Sequence, residues 1–104
     1  MRVLKFIVNG QTLNKDPTCD FKHIVAGSSG YLIAAFKFTG EWQGLRKIAA
    51  FYCFGEEYAA ILENNRCVIP AEALRWKNFE VKVVGVKKDY RIDTERISVK
   101  QEVS

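Results

Sequence analysis

The sequence predicts an all-β domain: an antiparallel β-sandwich, immunoglobulin-like or jelly-roll-like, of about eight short strands with one short helical turn. Three observations carry this expectation. Runs rich in β-branched and aromatic residues alternate apolar and polar side chains with a period of two. Turn-forming groups such as Asn9-Gly10 and Asn64-Asn65 separate those runs at short, nearly regular intervals. No segment of helix length competes with them. The 104 residues suit one core, so residues 1–104 are read as a single sandwich domain.

Taken in order, Leu4, Phe6 and Val8 alternate with charged neighbours over residues 2–8, and Asn9-Gly10 predicts a tight hairpin into a return strand over 11–14. After the Asp16-Pro17 break, Asp20 to Ala26 reads as a further strand, ended by Gly27-Ser28-Ser29-Gly30. Tyr31 to Phe38 places Leu32, Ala34, Phe36 and Phe38 on one face, which belongs in the core. Trp42 follows in a turn and is expected to cap the core at a sandwich corner. Arg46 to Phe54 is apolar on both faces, with Ala49, Phe51 and Cys53 opposite Ile48, Ala50, Tyr52 and Phe54. Such a strand is either central or covered by a partner.

Gly55-Glu56-Glu57 is expected to turn the chain into 58–62, and Glu63-Asn64-Asn65 into 66–69, since Asn supplies the positive φ of a tight hairpin. Pro70 to Leu74 is the one helical element, a proline followed by good helix formers. Phe79, Val81 and Val83 mark another strand, Lys87-Lys88-Asp89 turns into 90–93, and 96–103 closes the domain. The short connections predict a meander in which neighbours pair in sequence order.

Composition and spacing narrow the chemistry. The chain is 48% hydrophobic and 27% charged, too apolar for disorder. No apolar run approaches the ~18 residues of a membrane span, and charges interrupt the N-terminal apolar residues, unlike a signal peptide. The net charge of +4 is scattered along the chain, so nucleic acid is disfavoured as a partner and no membrane is expected. Cys19, Cys53 and Cys67 are odd in number and lack a CxxC pair, which reads as reduced thiols with neither disulfide nor zinc site. His23 is the lone histidine and sits inside a strand pattern, with no GxSxG, Walker or GxGxxG motif elsewhere. No catalytic, cofactor-binding or metal-binding residue is therefore assigned, and the chain reads as a non-enzymatic binding protein.

The partner-binding residues are expected to be Tyr52, Phe54 and Tyr58, from the apolar surplus around residues 46–54, with Trp76, whose charged neighbours Arg75 and Lys77 point outward. That surplus predicts a homo-oligomer or a tight structural complex.

The succession Phe36-x-Phe38, Glu41-Trp42-x-Gly44, Ala50-Phe51, Ile61-Leu62, Cys67-Val68-Ile69-Pro70, Glu72-x-Leu74, Phe79-x-Val81-x-Val83-x-Gly85 and Thr94 resembles a small β-rich module over about residues 24 to 100. The module resembles the N-terminal domains of baseplate, tail-fibre and head-fibre structural proteins of phages and prophages of Gram-positive and gut bacteria. Ala71 stands where that pattern often has Trp, and fibre relatives usually continue into a stalk. The resemblance implies a virion-associated accessory protein, made in the host cytoplasm, that binds capsid, tail or baseplate proteins; the length fits a stand-alone decoration or adaptor protein. A carbohydrate-binding or adhesion module and a small phage-encoded inhibitor of a host protein are the alternatives.

Far-ultraviolet circular dichroism should show a β spectrum with less than about one fifth helix, well below the one third usual for globular domains. A larger helical signal would contradict the fold class.

Overall fold

Side-chain alternation resolves into two packed sheets in the computed structural model, which describes residues Met1–Ser104. The strands are β1 (Arg2–Asn9), β2 (Thr12–Lys15), β3 (Leu32–Phe38), β4 (Arg46–Cys53), β5 (Glu56–Ile61), β6 (Arg66–Val68), β7 (Asn78–Lys87), β8 (Tyr90–Asp93) and β9 (Ile97–Lys100). Two 3₁₀ turns, Gly40–Trp42 and Ala71–Leu74, complete the elements. The four-stranded sheet runs β2-β1-β3-β6, and the five-stranded sheet runs β5-β4-β7-β8 with β9 also on β7. The all-β sandwich expected from the sequence is the observed architecture, and the helical turn falls at Ala71–Leu74.

The core lies between the sheets. Leu4, Phe6, Val8, Ala34 and Phe36 project from one, and Ala49, Phe51, Phe79, Val81, Val83 and Val99 from the other. Period-two alternation explains the selection, since only every second residue faces the partner sheet. Trp42 closes one end. It is wholly buried, its ring centroid lies 5.1 Å from that of Phe38, and its indole N–H donates to the Gly10 carbonyl at 2.9 Å. Gly85 lies directly beneath it, where a Cβ would sit 2.8 Å from the indole carbons and 2.9 Å from Leu45.

Turn chemistry follows the sequence in most places. Gly10 has φ +57° in the β1–β2 loop, and Asn64 and Asn65 have φ +52° and +61° between paired Glu63 and Arg66. The β4–β5 turn differs from expectation. Cys53 pairs with Glu56, so the loop is Phe54-Gly55, and Glu56 and Glu57 already belong to β5.

Two further expectations are corrected. Residues 20–26 form no strand; only Val25 makes an isolated bridge, to Glu102. Phe21 and Ile24 anchor this loop in the core, while Arg2 donates to the carbonyls of Asp20, Lys22 and His23 at 2.6–3.1 Å. The guanidinium thus satisfies backbone groups that a strand ladder would otherwise hold. Pairing in sequence order holds only for β1–β2, β4–β5 and β7–β8. β1 and β3 pair in parallel, and β4–β7 and β7–β9 are non-consecutive. Each short hairpin has its own apolar face, and facing those surfaces across one core requires the chain to change sheets between hairpins.

One strand serves two partners on the same side. β7 pairs β9 over residues 78–81 and β8 over 84–87. Between them the buried Thr94 hydroxyl accepts from the Val83 N–H at 3.0 Å and donates to the Glu95 carbonyl at 2.8 Å. Gln11 ties this junction to the first hairpin, donating from its amide to the Asp93 carbonyl and accepting from the Glu95 N–H.

Gly85→Ala should lower stability by about 1–3 kcal/mol, because the added methyl overpacks the Trp42 seat. A lower urea midpoint is expected, and an unchanged midpoint would show that the indole does not occupy that seat.

Candidate partner-binding surface

The β4–β5 hairpin ends in an unusual loop. Phe54 and Gly55 have φ +54° and +77°, the pattern of a type I′ turn, whose first position favours Asn, Asp or Gly. A β-carbon in this left-handed region costs about 1–2 kcal/mol, and for a bulky aromatic the conformation is an outlier. Phe54 is nevertheless 71% exposed. Beside it stands Trp76, 43% exposed, at a ring-centroid distance of 5.9 Å and an interplanar angle of 36°.

The chain around Trp76 is fixed from below. Gln101 donates from its side-chain amide to the Trp76 carbonyl and from its backbone N–H to the Lys77 carbonyl, both at 2.7 Å. Lys77 places its ammonium 5.7 Å from the centre of the Trp76 ring. Together with Tyr52, Asn78, Glu80 and Arg96, the two aromatics line an open groove of about 280 Å³.

Tyr52 is the floor of that groove. It is 8% exposed, its ring lies 3.6 Å from the Arg96 guanidinium carbon, and its hydroxyl donates to Glu57 at 2.7 Å. Burial, then the Glu57 carboxylate, pushes its phenol up to about 12. Arg96 is held in turn by Glu80 at 3.3 Å. Ala50, also on the outer side of β4, is buried as well, alongside the aliphatic stem of Lys82 in register on β7. Of the two readings of this doubly apolar strand, β4 is the central one, and the sheet's own charged side chains roof Tyr52.

Tyr58 is a correction. It pairs in register with Phe51, shares the inner face, and packs partly buried against the core. The hairpin loop has two residues, Phe54-Gly55, rather than the three expected, and this change of parity puts Tyr58 and Tyr52 on opposite faces. Of the four expected contact residues, Phe54 and Trp76 form the exposed pair, Tyr52 supports it, and Tyr58 lies elsewhere. Arg96, Glu80 and Asn78 were not singled out in the sequence. Only the β4–β7–β9 register, with Tyr52 opposite Glu80 and Glu80 opposite Ser98, brings them here.

Other titratable groups lie apart from the groove. Asp93 accepts from Arg91 at 2.7 Å and Lys82 at 2.8 Å, and these cations, Arg91 foremost, hold its carboxyl down at about 2. His23 lies exposed with Nδ1 3.1 Å from Glu102 Oε2. The cysteines are unpaired: Cys19 Sγ accepts from the Lys5 N–H at 3.3 Å, Cys53 is buried, and burial pushes the Cys67 thiol up to about 12. No helix is long and apolar enough to cross a membrane. No protein-family model matches the chain, and neither does any curated protein or solved structure.

An exposed aromatic pair over a supported floor, rimmed by both signs of charge, suits contact with an apolar or ring-bearing group. Two pH effects follow, one from Asp93 outside the groove and one from Tyr52 at its floor. The Asp93 carboxyl is lowered, so the unfolded chain binds the proton first; stability is present above pH 3.8 and is lost as pH falls toward 2. Asp93→Asn should flatten that acid limb of a thermal-denaturation profile. The Tyr52 phenol is raised, so stability falls as pH rises from 10 toward 12, and Tyr52→Phe should flatten the alkaline limb. Unchanged limbs in the two variants would refute these assignments.

Proposed function

We propose that this chain is a phage virion-associated structural accessory protein, a capsid-decoration, head-fibre or tail/baseplate adaptor module, acting by protein–protein binding through the Phe54–Trp76 corner. The observation that carries the reading is Phe54 itself. A large apolar side chain stands exposed on a backbone that Asn or Gly adopts more cheaply. The fold gains little from it, whereas a partner that covers it gains roughly 1.5–3 kcal/mol of burial per aromatic anchor. The resemblance to fibre and baseplate modules supports the choice of a virion surface as that partner.

A second reading, carbohydrate binding, draws on the same exposed aromatics, since sugar rings stack on such faces. It is the weaker one. The rings are tilted by 36° rather than coplanar, and the groove's polar rim is an Arg96–Glu80 pair already engaged with itself.

The test is a binding titration against the purified capsid, tail and baseplate proteins of the encoding phage, with a glycan panel alongside. Phe54→Asn should raise thermal stability, by about 1 kcal/mol from relieved strain, while weakening binding by ~30-fold or more, as expected for an anchor worth about 2 kcal/mol. Trp76→Ser should weaken binding similarly. Wild-type affinity in both variants would sink the proposal, and aromatic-dependent binding to a glycan alone would transfer it to the second reading.

A further inference from the structure

The sandwich guards its sheet edges unevenly. β2, β6, β8 and β9 have only three or four residues, and each carries a cation on the edge: Lys15, Arg66, Arg91 and Lys100. Short, charged strands are the usual protection against edge-to-edge pairing. β5 is different. It is six residues long and contains no Lys, Arg or Pro.

Its free backbone groups can be placed from the register. The Leu62 N–H donates to the Lys47 carbonyl at 2.9 Å, so residues in phase with Leu62, namely Ala60, Tyr58 and Glu56, direct their amides toward β4. Glu57, Ala59 and Ile61 direct theirs away from it. No turn, loop or side chain elsewhere in the protein takes these N–H and carbonyl groups. On the outer face beside them lie Ile61, 61% exposed, exposed Ala59 and half-buried Ile48. The Glu57 carboxylate is drawn back over its own sheet by the Tyr52 hydroxyl at 2.7 Å.

We propose that the free edge of β5 is a self-association seam, pairing antiparallel with β5 of a second copy about a two-fold axis at Ala59. The outward residues are symmetric about Ala59, so each outward N–H of one copy meets an outward carbonyl of the other. Ala59 faces Ala59, and Glu57 faces Ile61 rather than a second Glu57. Like charges are thereby kept from direct opposition, which is the self-complementarity that a two-fold interface demands. The small side chain at the axis permits the close backbone approach of paired strands. The pairing joins two five-stranded sheets into one, and on the outer face it sets Ile61 of each copy beside Glu57 and Ala59 of the other. This inference does not rest on the reading of the Phe54 corner.

Sedimentation velocity across a concentration series, with amide hydrogen exchange by NMR, tests it. The wild-type chain should approach twice its 11.9 kDa mass as concentration rises, with the amides of Glu57, Ala59 and Ile61 protected in the dimer. Ala59→Lys sets two cations against each other at the axis, and Ala59→Pro removes an N–H that points off the edge and not into β4. Both variants should stay monomeric, with these amides exchanging freely and the circular dichroism of the wild type. If the proline unfolds the hairpin, the lysine variant still decides. A wild-type chain monomeric throughout, a dimer in which these three amides exchange freely, or a dimer that persists in the folded lysine variant would overturn the seam. Protection that appears only when another protein is added would give the edge to a foreign strand and overturn the two-fold pairing. Virion-protein binding measured on the monomeric lysine variant keeps this outcome separate from that of the Phe54 corner.

Discussion

The seat of Trp42 is the contact on which the rest of this sandwich depends. One side chain joins the first hairpin through the Gly10 carbonyl, β3 through Phe38, and β7 through the bare backbone of Gly85. These segments are distant in sequence and belong to both sheets. The indole N–H is wholly buried, so losing its acceptor would strand a polar group at a cost of about 1–3 kcal/mol. The same geometry explains why Gly85 interrupts the valine run of β7 between Val84 and Val86: any side chain there would occupy the volume of the indole.

With the sheets held face to face, the outer side of the five-stranded sheet has to manage its own apolar residues. It does so unequally. Around Tyr52, Arg96 lies over the ring and Glu57 takes the hydroxyl, so the surface is sealed without a partner. Toward β5, where the sheet ends, Ile61 and Ala59 remain uncovered beside free backbone groups. Long charged side chains can roof a central strand because neighbours on both sides supply them, whereas an edge strand has neighbours on one side only.

The exposed corner shows local and global requirements in conflict. The β4–β5 hairpin needs positive φ at Phe54, which a bulky aromatic adopts only with strain, and the side chain then points to solvent beside Trp76. Consistency between local preference and fold is the rule in a folded chain, and departures from it concentrate at surfaces that do work. At Asn64-Asn65, with the same turn geometry, the residues match the backbone, and no aromatic is exposed there.

The sequence by itself determined the class of fold, the helical turn at Ala71–Leu74 though not the second one at Gly40–Trp42, the hairpin at Asn64-Asn65 and the burial of Trp42. Each is written in local chemistry: period-two alternation, a proline before helix formers, tolerance of left-handed backbone, and an indole too large to leave in water. Phe54 and Trp76 were legible for the same reason, as aromatics at the ends of elements. The tertiary structure alone decided which strands share a sheet, that residues 20–26 are a loop pinned by Arg2, and that Tyr58 faces inward. It alone set Arg96 over Tyr52 and left the β5 edge open. These features depend on register between paired segments, and a shift of one residue in that register turns every side chain of a strand to the other face.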